Sequence, residues 1–446
     1  MTANKLTGLL AKLWGSASAG PSQEVDPLVQ DLWPLPVPEF SVATLRTWTE
    51  QKLRSKLTGD ALRDNVVLNK WEFANGITVL KSFPWRLSVP FILCNAQCDF
   101  CAAWLIKGNA PLDELMRSLV PVIRYCYELD LVGWGEPLIH PQFSTILDML
   151  RRESDPRARI ALTTNGVRLG DWIERLLDAN VMEYAISIHA VNKETHQDLM
   201  GLGPEDFERV TSAVRKLTAR KAEFPDLTVE LVLVVTQQNI AEIPAFIQMS
   251  ERLGADQVHL RTLMPMDKPR EGLDDNRLPP YLHPEFDRLR DGAVAAVSRS
   301  RLRVKANPSS WSRPVFSPEW EASVDRIPLT QRKDRKSYRI SEIQWDALGA
   351  GEAEREHEPC DFAGNPYNRT APLYCPSPYT AFYVNGTDRR VIPCVYMHRV
   401  PGHEFMHFKP SMTFEEVWNS PAMVAVRRSL HQGPLMPACF KCPFHC

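Results

Sequence analysis

From residue 86 to about residue 305, short apolar runs alternate with longer amphipathic stretches, and the pair repeats six times. The runs Leu87–Leu93, Leu129–Gly133, Arg159–Thr164, Glu183–Ile188, Leu227–Thr236 and Gln257–Leu263 are short and lack a helical period, so they predict strands. Pro111–Tyr127, Pro141–Glu153, the stretch up to Asn180, Pro204–Lys221 and Ile240–Leu253 carry helical periodicity. Strand-then-helix repetition predicts a parallel sheet with right-handed crossovers, an α/β fold. Before it, Asp26–Phe40 holds four prolines among apolar residues and predicts an extended segment. Ser41–Leu57 predicts a helix capped by Ser41, and Asn75-Gly76 inside Trp71–Leu80 predicts a hairpin. After it, Tyr379–Gly386 predicts a strand and turn and Val391–Cys394 the returning strand. Phe414–Ser420 and Arg427-Arg428 fall on a helical stretch.

Composition narrows the class. The chain has 446 residues, 44% apolar and 24% charged, as in an ordinary globular protein long enough for two or three domains. A formal net charge of −2 gives no reason to expect a nucleic-acid partner. No apolar run reaches the ~18 residues of a membrane span, so no membrane partner is expected. Lys12 interrupts the apolar stretch near the N-terminus, which predicts a short amphipathic helix rather than a signal peptide. Of the 10 cysteines, all but Cys126 fall within 94–101 or 360–446. Such clustering favours metal ligation over disulfides and predicts a cytoplasmic location, where thiols stay reduced.

The chemistry concentrates in Cys94-Asn-Ala-Gln-Cys98-Asp-Phe-Cys101, which opens at the C-terminal end of the first predicted strand, where α/β folds build their sites. Three thiolates can hold three irons of a [4Fe–4S] cube and leave the fourth iron open. The alternative is a structural zinc knuckle, which needs a fourth ligand at finger-like spacing; the next candidate, Cys126, lies in a predicted helix. The CxxxCxxC spacing, with Phe100 just before the third cysteine, resembles the radical S-adenosylmethionine (SAM) superfamily. That resemblance implies a partial (β/α)6 barrel, metal ligation by Cys94, Cys98 and Cys101, and SAM chelated at the open iron. It also implies reductive cleavage of SAM to a 5′-deoxyadenosyl radical and an electron donor such as flavodoxin or ferredoxin.

Other strand ends extend the likeness. Gly133-Trp134-Gly135-Glu136-Pro137 resembles the motif GGEP, with Trp134 in place of a glycine. Its glycines are expected to let backbone groups approach the SAM ammonium. Thr163-Thr164-Asn165-Gly166 resembles the TNG turn, and Ser187-Ile-His189 the segment after the fourth strand. The cofactor-binding set implied is thus Phe100, Gly135, Glu136, Thr164, Asn165, Ser187 and Leu263. His189 stands where an Asp is common and is a poor acid–base candidate; no catalytic residue is identified.

The C-terminal order of hairpin, helix and CxxC resembles the SPASM/twitch domain. It implies one auxiliary [4Fe–4S] cluster on Cys375, Cys394, Cys439 and Cys442, with Cys360 and Cys446 left over. The expected domains are an N-terminal extension (1–85), the radical SAM barrel (86–305), a connector (306–369) and a small α+β auxiliary-cluster domain (370–446). The first functional reading is hydrogen abstraction from a polar small molecule, ending in oxidation or rearrangement, with the auxiliary cluster accepting an electron. The second is crosslinking of a ribosomally made peptide. A third, from another class, is a non-catalytic zinc-binding scaffold.

Overall fold

The computed structural model describes residues 42–101, 106–107, 112–133, 135–262, 279–306, 308–311, 338–339, 375–384, 391–394, 408–409 and 411–432. Trp134, Leu263, Cys360, Cys439, Cys442, Cys446 and the proline-rich segment 26–40 lie outside them.

The first described elements are helices. The single helix expected over Ser41–Leu57 is two short ones, α1 (Val42–Arg46) and α2 (Glu50–Arg54). Thr49 caps the second through its hydroxyl, which accepts from Lys52 N, and so restarts the helix after a break. The hairpin expected at Trp71–Leu80 is also corrected, because α3 runs over Ala61–Ala74. Asn75-Gly76 ends this helix: Gly76 has φ +63°, and its amide donates to Phe73 O at 3.1 Å. A left-handed glycine serves a helix C-terminus as well as a hairpin turn.

Then the βα units begin: β1 (Arg86–Phe91), α4 (Leu112–Ile123), β2 (Glu128–Gly133), α5 (Phe143–Glu153), β3 (Arg159–Thr164), α6 (Leu169–Asp178) and β4 (Val181–Ser187). Two helices follow, α7 (Lys193–Met200) and α8 (Asp206–Thr218), and then β5 (Thr228–Val235), α9 (Ile243–Arg252) and β6 (Gln257–Thr262). The outward face of each strand is apolar. In β1, Leu87, Val89 and Phe91 are buried while Arg86, Ser88 and Pro90 are half-buried. Helices cover that face with residues spaced i, i+3, i+4 and i+7, such as Phe143, Ile146, Leu147 and Leu150 of α5.

The sheet extends beyond six strands. Helix α10 (Phe286–Arg299) leads into β7 (Arg303–Ala306), which pairs in parallel with β6. At the other edge, α11 (Ser377–Thr380), a single turn, precedes β8 (Ala381–Val384). Strand β8 pairs in parallel with β1, matching Arg86 with Ala381 and Leu87 with Phe382. Strand β9 (Val391–Ile392) then returns antiparallel to β8, as the C-terminal pattern predicts. The strand order is β9-β8-β1-β2-β3-β4-β5-β6-β7, a mostly parallel open sheet clad in helices, in keeping with a partial barrel.

Helix α12 (Phe414–Trp418) meets the segment before β1, where Trp418 Nε1 donates to Ser82 O at 2.9 Å, and α13 (Pro421–Gln432) lies against α3, with the His431 and Phe73 rings 5.7 Å apart. Phe382 meets Phe414 at 4.9 Å and Trp418 at 6.0 Å between ring centroids. Asn419 clasps Leu80, accepting from its amide and donating to its carbonyl at 2.8 Å each. Arg427, fully buried, lies 4.4 Å over the Trp418 ring and donates to Pro378 O and Thr78 O.

Candidate active site

Strand β1 leads directly into the three-cysteine loop. The loop rests on the end of α7: Gln97 N donates to Met200 O at 2.8 Å and Asp99 N to Leu199 O at 2.9 Å. Ala96, Met200 and Leu202 form a small apolar cluster beneath it, with Cys94, Cys98 and Val167 packed alongside. Burial pushes the Cys94 thiol up to about 12 and drives Cys98 well above the ordinary range. Cys101 adds to the rise at Cys94, and Cys101 and Cys94 add to it at Cys98. Thiolates gathered in such a place call for a cationic centre. Among the described residues, no three His, Cys, Asp or Glu side chains surround a single-ion position. A four-iron cube makes a different demand, one thiolate per iron, and the loop's donor set fits it. None of the six described cysteines is in a disulfide. Cys126 is a core thiol, buried with its Sγ 3.5 Å from Pro84 O and 3.4 Å from Val122 O.

The glycines of the second strand end also serve the packing of the protein itself. A Cβ on Gly133 would overlap the Phe91 backbone, and one on Gly135 the backbone of Ile92 and Leu93. Gly135 N donates to Phe91 O at 2.9 Å and Glu136 N to Leu93 O at 2.7 Å. Their smallness therefore lets the end of β2 lie against the segment that feeds Cys94.

Glu136 is buried, and its carboxylate is fully engaged. Oε1 accepts from Thr164 Oγ1 at 2.7 Å and Leu138 N at 3.1 Å, and Oε2 accepts from Asn165 N at 2.6 Å. Burial outweighs these donors and raises its pKa to about 7. Asn165 continues the chain of contacts, donating from Nδ2 to Asn95 Oδ1 at 2.8 Å and accepting from Val167 N at 3.1 Å. Glu136, Thr164 and Asn165 thus join the ends of β2 and β3 to the cysteine loop.

Ser187 is half-buried at the C-terminal end of β4. Two residues on, His189 adopts φ +61° and is 4% exposed. Its Nδ1 accepts from Val234 N at 3.0 Å, and its ring meets Phe100 edge-on at 4.9 Å. Burial is the main cause holding its pKa down at about 3, so the imidazole is neutral. Asn239, also buried, donates to His189 O and Val234 O at 2.9 Å each and accepts from Thr236 N. The sequence singled out neither Asn95 nor Asn239 as a site residue. A polar residue with no apolar period around it leaves no local signal; only the folded strand ends reveal their work. Cys375 and Cys394 are half-buried on either side of the β8–β9 hairpin. 

Residues 88–249 match the family model of the Radical SAM superfamily. The chain carries a radical SAM domain. It is 27% identical to an AdoMet-dependent heme synthase of Methanosarcina barkeri over 227 residues, 50% of this chain and 60% of that protein. It is 29% identical to a probable GTP 3′,8-cyclase of Metallosphaera sedula over 253 residues, 53% of this chain and 75% of the relative. In fold it is similar to SuiB of Streptococcus suis, with a TM-score of 0.50 at 15% identity over 85% of this chain and 76% of that one.

Proposed function

We propose that this chain is an enzyme that cleaves SAM reductively and abstracts hydrogen from a polar small molecule, ending in oxidation or a related rearrangement. The observation that carries the reading is the Cys94–Cys98–Cys101 loop, seated on α7 and tied to two strand ends. In this reading the three thiolates hold a [4Fe–4S] cluster. When bound, that cluster with SAM supplies the electron and the 5′-deoxyadenosyl radical.

The chain's own residues do the positioning. Glu136 and Asn165 fix the loop against β2 and β3. Ser187 and the backbone near Leu263 take SAM, as the family likeness implies. His189 stays neutral and wedges Phe100, its Nδ1 already committed, which removes that atom as a proton acceptor. Cys375, Cys394, Cys439 and Cys442 make up the auxiliary-cluster set of this reading. A small-molecule substrate is supported by relatives named for heme synthesis and GTP cyclisation.

Anaerobic reconstitution tests the assignment. The protein is expected to carry about eight irons, and the triple Cys94, Cys98, Cys101→Ala variant about four. With SAM and a reductant, chromatography should find 5′-deoxyadenosine and methionine. S-adenosylhomocysteine in their place, or zinc in place of iron, would overturn the proposal.

A further inference from the structure

The concave face of the sheet is divided by charge. On its β1–β4 side, Arg86 and Arg159 face Glu128, Asp130 and Glu183, and every one of these groups is paired. Arg86 Nε lies 2.8 Å from Asp130 and 3.5 Å from Glu128, while Arg159 reaches Glu128 at 3.8 Å and also Glu183. On the β5–β7 side the balance reverses. Glu230 is buried and bonded to Lys305 Nζ at 2.6 Å, with His259 Nδ1 3.4 Å away. Arg261 follows His259 by two residues on β6 and so shares its face.

Arg261 is exposed. Among the described residues it has no carboxylate partner, and its polar contact is a long one, Nε to His259 Nδ1 at 3.4 Å. It sits near the C-terminal end of its strand, the end at which β1 opens into the cysteine loop. Its charge is felt by His189, whose ring touches Phe100 of that loop. Among the described residues, then, this guanidinium has no counter-ion, on the side of the sheet where Glu230 is already taken by Lys305. Val234, level with it on β5, is apolar and half-buried.

We infer that Arg261 anchors an anionic group, a carboxylate or a phosphate, of the substrate bound over the concave face. This rests on the enzymatic reading above and narrows its substrate to an anionic small molecule. The planar fork of the guanidinium matches either anion through two parallel hydrogen bonds.

Arginine-selective modification by phenylglyoxal, mapped by peptide mass spectrometry on the anaerobic holoenzyme, tests this. Succinate and inorganic phosphate are the probes, against sodium chloride at equal ionic strength. Arg151, exposed on the outer helix α5, is the internal reference. A probe at about ten times its Kd should slow modification of Arg261 by about tenfold and leave Arg151 unchanged. Whichever probe protects at the lower concentration identifies the anion. Equal slowing at both arginines, no slowing, or an Arg261 inert to the reagent overturns the inference. So does protection by SAM but by neither anion, which would give Arg261 to the cofactor. Iron content and deoxyadenosine release are measured on the same preparation. If both are present and Arg261 is not protected, the anchor alone falls; if both are absent, the enzymatic reading falls and takes the anchor with it.

Discussion

Gly135 donates its amide to Phe91 O and leaves no room for a methyl group against Ile92 and Leu93, one residue before Cys94. Gly135→Ala should therefore displace the loop's entry and cut the iron retained after reconstitution by the share of one cluster. Gly292, inside α10 with nothing within 4 Å of its Cβ position, is the control. Gly292→Ala should keep its iron and gain about 0.5–1 kcal/mol, the helix preference of alanine over glycine. Wild-type iron in Gly135→Ala would refute the bracing role. Glu230 offers a second residue-level expectation. Burial pulls its carboxyl up, but His259 and Lys305 outweigh burial and hold it at about 2, below the ordinary 4.5. The folded state thus favours the carboxylate, so this stabilisation is present above 4.5 and is lost as pH falls toward about 2. Glu230→Gln should cost about 3 kcal/mol near neutrality, read as a lower melting temperature, and the gap from wild type should close on acidification below 4.5. A gap independent of pH would rule this out. At this scale the spacing of Cys94, Cys98 and Cys101 pointed to the loop and a family likeness pointed to Gly135, Glu136, Thr164 and Asn165, and the fold brings these strand ends and the loop together. It did not reveal the packing between the ends of β1 and β2, because a close approach of backbone to backbone and one of backbone to ligand require the same residue.

Helix α3 shows where element-level reading fails. Asn75-Gly76 marks a left-handed backbone, which a hairpin and a helix terminus both use. The spacing of Leu62, Val66 and Phe73 favours the helix, but buried Asn65, Asn69, Lys70 and Glu72 blur its apolar face. Several of these find partners far away in the chain: Asn69 Nδ2 reaches Tyr379 O at 2.7 Å across 310 residues, and Asn65 Nδ2 reaches Tyr125 O at 3.2 Å. The βα units, by contrast, were legible because each buries one apolar face through local periodicity. The clasp between Asn419 and Leu80 makes a prediction of its own. Asn419→Ala leaves the Leu80 amide and carbonyl without partners, at a cost of about 2 kcal/mol. Arg427→Ala, which empties a fully buried site against Trp418, should cost about 3–5 kcal/mol. Limited proteolysis should then cut within or beside α12 and α13 first, while the β2–β6 region resists. Unchanged cleavage kinetics in both variants would show that this joint contributes little.

At the scale of the whole molecule, the C-terminal hairpin is part of the barrel's own sheet, since β8 completes the edge of β1. Nothing local in the sequence could announce this, because parallel pairing between distant segments leaves no turn and no spacing to read. The same holds for Leu80 and Asn419, which meet across 339 residues. A consequence arises during synthesis. Strand β1, which carries the cysteine loop, leaves the ribosome early and meets β8 only after most of the chain has followed. At about 5–20 residues per second that wait lasts roughly 15–60 s. Throughout it, β1 presents an unsatisfied row of amides and carbonyls, the kind of edge that recruits other nascent chains. A chain stopped after Trp311 is therefore expected in the pellet of a lysate and the full chain in the supernatant, as fractionation would reveal. Soluble, monomeric 1–311 protein would contradict this. Strand β8 would then act as the lock on β1, and the strand that carries the cysteine loop would keep an open edge until β8 arrives.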